Sequence, residues 1–129
     1  MIANLILVVD DNRHAADSLG LVLRHWGYRV LVAYDGPSAL ELAEDRLPRA
    51  VILDLEMPTM SGFEVARQLR ECRALGGLVL IALSGHDVGD QPGADFNFRL
   101  SKPLRFEHLR RLLGQAVGLT TLPVATPQP

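Results

Sequence analysis

The sequence predicts an α/β domain in which one parallel, five-stranded sheet is covered by helices on both faces. Short continuous apolar runs of four to six residues alternate with longer segments of helical periodicity, five times over. Strands buried on both faces read as such runs, whereas half-exposed strands alternate apolar and polar residues. The second observation is size: 129 residues with 48% apolar side chains. A fold of that length removes roughly two-thirds of the chain's surface from water, enough for one core without staples. Cys72 has no partner and no Cys/His cluster around it, which excludes a disulfide framework and a zinc site. It is expected to be a small buried hydrophobe in a reducing compartment.

The elements follow in order along the chain. Leu5 to Val9 is the first strand, and a helix over 13–26 follows, with Ala16, Leu19, Leu23 and Trp26 at helical spacing. Gly27 ends it. Tyr28 to Ala33 is the second strand, and Asp35-Gly36-Pro37 opens the second helix, proline being tolerated in a first turn. Leu40, Ala43 and Leu47 are expected to face inward, with Pro48 closing the helix. Ala50 to Leu53 is the third strand, ending at Asp54. Ser61-x-x-Glu64 has capping-box spacing and starts a third helix carrying Phe63, Ala66, Leu69 and Arg70, stopped by Gly76-Gly77. Leu78 to Leu83 is the fourth strand, ending at Ser84.

Residues 85–95 are rich in Gly, Asp and Pro and predict at most a turn or two of helix, the weakest of the five units. Phe96 to Ser101 is the fifth strand and Arg105 to Val117 the last helix, with Leu109, Leu112, Leu113 and Ala116 inward. The domain is expected over 3–117, with 118–129 a disordered tail or linker stub holding prolines at 123, 127 and 129. Five such units imply a flavodoxin-like, doubly wound sheet of strand order 2-1-3-4-5 with right-handed crossovers and a shortened or irregular fourth helix.

Charge and hydropathy remove other classes. Thirteen Lys+Arg against 15 Asp+Glu give a formal charge of −2, and aromatic residues make up 5%. No electrostatic footprint for nucleic acid or anionic lipid exists, so this chain alone is not expected to bind DNA. The longest apolar run, Leu75 to Leu83, is far shorter than the ~20 residues that span a bilayer. The N-terminus has no basic start and runs into Asp10-Asp11, unlike a signal peptide, and a cytoplasmic location is expected.

In a sheet of this order, ligands bind at the carboxyl ends of the strands, where strands one and three are neighbours. There the sequence places Asp10 and Asp11 after strand one, Asp54 after strand three, Ser84 after strand four and Lys102 after strand five. Singly, each has a structural reading as a helix cap or turn residue. Together, three carboxylates repel one another, whereas a hard divalent cation such as Mg²⁺ needs a few carboxylates and keeps positions for water and phosphate oxygens. The set predicts a metal site. Lys102 is the chain's one lysine beside twelve arginines, and a compact ammonium fits one oxygen in a crowded pocket where a guanidinium fork would not.

Asp10-Asp11, Asp54-Leu55-Glu56-Met57-Pro58 with Met60-Ser61-Gly62, Ser84-Gly85 and Lys102-Pro103 resemble the receiver domain of two-component response regulators. The resemblance covers residues 3–117. It implies that Asp54 accepts a phosphoryl group from a sensor histidine kinase or histidine phosphotransfer protein. It also implies that Asp10, Asp11 and Asp54 hold Mg²⁺ with the Glu56 backbone carbonyl, one acid of the pair through water. Ser84 and Lys102 would each take a phosphoryl oxygen, and the Lys102–Pro103 bond would be cis. Glu56 and His86 would flank the route of the hydrolytic water. The chain would then be no enzyme in the ordinary sense, catalysing only its own phosphorylation and dephosphorylation. His14, His25 and His108 fall on helices and are given no chemical role, and Trp26 is expected to be a core or edge anchor.

Two departures from that family pattern stand out. Ser84 to Lys102 spans 18 residues, about a helical turn less than receivers commonly use, and Arg99 stands where many carry an aromatic switch residue. This combination is closer to receivers of hybrid kinases or phosphorelays than to those driving DNA-binding dimers. Two alternatives remain at this stage: a phosphorylation-independent pseudo-receiver that binds partners, and a Mg²⁺-dependent phosphatase of the haloacid-dehalogenase type. The latter would carry Asp-x-Asp after strand one, where this chain has adjacent aspartates.

Overall fold

The computed structural model describes residues 2–85 and 95–118. Within them, β1 (Ile2–Val9), α1 (Arg13–His25), β2 (Arg29–Ala33), α2 (Gly36–Arg46), β3 (Pro48–Asp54), α3 (Gly62–Glu71), β4 (Val79–Ser84), β5 (Phe98–Ser101) and α4 (Phe106–Ala116) follow in order. The strands form one all-parallel sheet in the order β2-β1-β3-β4-β5. This is the flavodoxin-like arrangement expected from the alternation of apolar runs and helices. The expected fourth-unit helix and the expected tail lie outside the described residues.

Because successive strand side chains point to opposite faces, each apolar run feeds two cores. Ile6, Val8, Ile52, Ile81 and Leu83 face α1 and α4, meeting Leu19, Leu23, Leu109 and Leu113. Leu7, Val9, Val51, Leu53 and Leu80 face α2 and α3, meeting Ala39, Ala43, Val65 and Leu69. Trp26 is an edge anchor: half-buried, it meets Phe106 edge to face at 6.4 Å and lies under the Arg110 guanidinium.

Boundaries differ from the sequence reading where local chemistry overrides pattern. Leu47 adopts the left-handed conformation at φ 52° as the C-cap of α2, and Pro48, expected to close the helix, is the first residue of β3. Of the residues expected inward on α2, Ala43 is buried, while Leu40 and Leu47 are half-buried against the core. α3 ends at Glu71, and a 3-10 turn over Arg73–Leu75 precedes the glycines, so the apolar run from Leu75 is not strand throughout. Half of the capping box forms: Ser61 Oγ accepts from the Glu64 N–H, but the Glu64 carboxylate turns to Arg67 and Gln68. Cys72 is half-buried at the edge of the core.

β5 starts at Phe98 because Asn97 is occupied before it. Its N–H donates to Leu80 O, and its Oδ1 accepts from Leu80 N and from Arg70 of α3. Arg70 also donates to Leu78 O and Asp95 O, so one guanidinium ties α3 to the entry of both β4 and β5.

Candidate functional site

The carboxyl ends of β1, β3, β4 and β5 meet at one rim because the register is tight: Val9 pairs with Leu53, Asp54 with Leu83, and Ser84 with Ser101. Asp10 therefore emerges beside Asp54. Carboxylate oxygens of Asp10, Asp11 and Asp54 lie within 4.8 Å of one another. Asp10 and Asp54 are buried, at 6% and 2% exposure, while Asp11 is exposed. Lys102 reaches in from the end of β5, its Nζ 3.2 Å from Asp54 Oδ1.

Backbone groups hold the acids in place. The Asn12 N–H donates to Asp10 Oδ1 at 3.0 Å, and the Glu56 N–H donates to Asp54 Oδ1 at 3.1 Å. Asn12 itself caps α1 by accepting from the Ala15 N–H, so the helix start and the Asp10 carboxylate share one turn. Ser84 is buried at the end of β4, and its carbonyl accepts the Lys102 N–H at 2.8 Å. The Lys102–Pro103 bond is cis. The Glu56 side chain crosses to the loop after β4, where Oε1 accepts the Gly85 N–H at 3.1 Å. All six residues expected from the sequence thus lie along this rim. His86 lies outside the described residues.

Burial is the main reason that the Asp10 carboxyl is pushed above the usual range; the Asn12 N–H opposes this, and the nearby Asp54 charge adds to it. The folded chain therefore holds that proton more tightly than the unfolded chain does. This contribution favours folding below the unfolded carboxylate range and is lost as pH rises through the folded value, so at neutral pH the ionised Asp10 is a cost. Asp10→Asn keeps an acceptor for the Asn12 N–H and removes the charge. It is expected to raise the stability of the metal-free chain at neutral pH and to give a smaller thermal shift on adding Mg²⁺ than the wild type gives. Thermal melts with and without Mg²⁺ check this; equal metal shifts in both proteins would refute it.

Two contributors were given no role of their own from the sequence: Gly62 entered only within the Met60-Ser61-Gly62 motif, and Asn12 not at all. Gly62, first residue of α3, sits where a Cβ would lie 2.5 Å from the Asp54 carbonyl oxygen and 2.8 Å from Leu55 Cα. A glycine opening a helix behind Ser61 was the available signal. Asn12 had one too, as a preferred N-cap type placed directly before a helix.

Comparison with known proteins agrees with this geometry. The family model of the response regulator receiver domain matches residues 6–113. Response regulator MprA of Mycobacterium sp. (strain KMS) is 41% identical over 110 residues, covering 81% of this chain and 46% of that protein. MprA of Mycolicibacterium vanbaalenii is 41% identical over 122 residues, 90% of this chain and 51% of that protein. The chain thus spans about half the length of the curated relatives it matches. Among solved structures, a CheY-like receiver domain from Methylobacillus flagellatus superposes with TM-score 0.81 at 28% identity, covering 88% of this chain and 98% of that one. The receiver domain of sensor histidine kinase PA1611 from Pseudomonas aeruginosa, with a magnesium ion coordinated in its active site cleft, gives 0.79 at 28% identity, covering 90% and 98%. With its five-stranded sheet, its rim of acids and lysine, and these matches, the chain belongs to the response regulator receiver domain family.

Proposed function

We propose that this chain is the phosphoacceptor of a two-component system, taking a phosphoryl group onto Asp54 from a sensor histidine kinase or histidine phosphotransfer protein. The observation that carries this is Asp54 itself: a buried carboxylate at a strand end, 3.2 Å from the chain's one lysine and within 4.8 Å of two further acids. Residues 3–117 form the functional unit.

The donor set fits Mg²⁺: hard oxygens, two of the three acids withdrawn from water, and a carboxyl whose charge burial disfavours. Asp10, Asp11, Asp54 and the Glu56 carbonyl would hold the ion. When bound, Mg²⁺ supplies positive charge that offsets the acids and the phosphoryl oxygens.

Phosphoryl transfer asks the protein mainly for in-line placement and for cationic or hydrogen-bonding partners on the equatorial oxygens. An Asp54 carboxylate oxygen attacks phosphorus, an O–P bond forms, and the P–N bond to the donor histidine breaks, its imidazole nitrogen keeping the electron pair. Lys102 pairs with one phosphoryl oxygen and the Ser84 hydroxyl donates to another. Attack of water on phosphorus later releases orthophosphate and restores the Asp54 carboxylate, the chain acting only on its own phosphoryl group. Partners are the kinase or phosphotransfer protein and a downstream effector, within the cytoplasm.

Intact mass after incubation with acetyl phosphate and Mg²⁺ should rise by one phosphate and should not rise with the metal chelated. No gain in either condition would overturn the reading. Lys102→Arg should transmit phosphorylation about as poorly as Lys102→Ala, because the pocket takes a point charge and a planar fork misplaces it. The check is the change in loop hydrogen exchange on adding beryllofluoride. A near-normal response by the Arg variant would count against this role.

A further inference from the structure

Glu56 does more at this rim than lend a carbonyl. Its N–H binds Asp54 Oδ1, while its carboxylate reaches the other way and takes the Gly85 N–H at 3.1 Å. Gly85 is wedged beside the site: a Cβ there would lie 3.2 Å from Glu56 Oε1 and 3.7 Å from Lys102 Cδ. Gly85 thus sits one residue past Ser84 with its amide on the Glu56 carboxylate and its α-carbon close to the lysine stem. An N–H that already serves a carboxylate next to an ammonium is a ready donor for a phosphoryl oxygen.

We propose that the Glu56 carboxylate stands in for the phosphoryl group in the unphosphorylated chain, occupying the Gly85 N–H and yielding it when Asp54 is phosphorylated. This rests on the phosphoacceptor reading of Asp54. One N–H cannot serve both anions well, and a phosphoryl group arriving among Asp10, Asp11 and Glu56 is repelled by each carboxylate. Covalent attachment at Asp54 fixes the phosphoryl group in place, so Glu56, at the exposed end of the set, is the one displaced. Two consequences follow. Glu56 weakens anion occupancy of the resting site, and its release unties the loop after β3 from Gly85 at the end of β4.

The test is beryllofluoride affinity at saturating Mg²⁺ for the wild type, Glu56→Asp and Glu56→Ala, with the Gly85 amide followed by NMR. Glu56→Asp keeps the charge but is one methylene too short to hold the Gly85 N–H. Both variants are expected to bind beryllofluoride about tenfold more tightly than wild type, the factor corresponding to 1.4 kcal/mol of removed competition. Their metal-free Gly85 amide resonance should be shifted from the wild-type position. Tightening in Glu56→Ala alone would mean that charge and not the hydrogen bond matters, and would overturn the proposal. So would unchanged or weaker binding in both variants, the outcome of a bond that merely ties two loops. A wild type that takes up no beryllofluoride at all would instead overturn the phosphoacceptor reading itself. Glu56 is exposed, so both variants should fold, and thermal melts verify it.

Discussion

Asp54→Ala should take up no phosphate from acetyl phosphate under conditions that modify the wild type fully. Asp54 is the deepest acid of the rim, at 2% exposure, and its Oδ1 is bonded by Lys102 Nζ and by the Glu56 N–H. Asp10 is also buried, but it lies at the end of a neighbouring strand, and no ion pair between it and Lys102 is found among the described residues. Neither it nor Asp11 can replace a nucleophile that must be in line with the leaving nitrogen or oxygen. Stability should change little. Removing a charge relieves repulsion with Asp10 and Asp11, while the Glu56 N–H and Lys102 lose their acceptor. Intact mass and urea unfolding read the two effects separately; a phosphorylated Asp54→Ala protein would remove the assignment.

Gly62→Ala should cost about 3 kcal/mol, at the upper end of what overpacking does, and should slow phosphorylation as well. The added Cβ would meet the Asp54 carbonyl oxygen at 2.5 Å, Leu55 Cα at 2.8 Å and Asp54 C at 3.1 Å. All three are backbone atoms, held by β3 and by the Gly62 N–H bond to Leu55 O, so none can yield without moving Asp54. Gly36→Ala is the control. Its Cβ would meet Met60 Sδ at 2.7 Å and Val65 Cγ2 at 3.0 Å, side-chain atoms of which the flexible methionine can give way. Its cost should stay below about 1.5 kcal/mol. Urea midpoints at unchanged slope decide it; a Gly62→Ala loss no larger than that of Gly36→Ala would contradict the close approach.

The sheet and its order were legible because each strand is an uninterrupted apolar run, and two-sided burial leaves that pattern little freedom. The rim was legible for a related reason: a polar residue ending each of several buried runs has few places to go except the carboxyl edge. Termini of elements were less so. Leu47 and Pro48 read as a helix stop, yet Leu47 caps in the left-handed region and Pro48 pairs with Ile2 at the start of β3. The Asn97–Leu80–Arg70 ties that delay β5 join residues up to 27 positions apart, and no periodicity encodes them. Nor did the sequence reveal that the Glu56 side chain would reach Gly85, 29 residues on, since that contact exists only once β3 and β4 are in register.

The residue that carries the phosphoryl group can be identified chemically. An acyl phosphate is reduced by borohydride to the alcohol, so trapping the acetyl phosphate-treated chain and sequencing its peptides by mass spectrometry identifies the residue without any substitution. The expected result is homoserine at position 54 and at no other aspartate, with none formed when Mg²⁺ is chelated. Homoserine at position 10 or 11, or none at all under phosphorylating conditions, would contradict it.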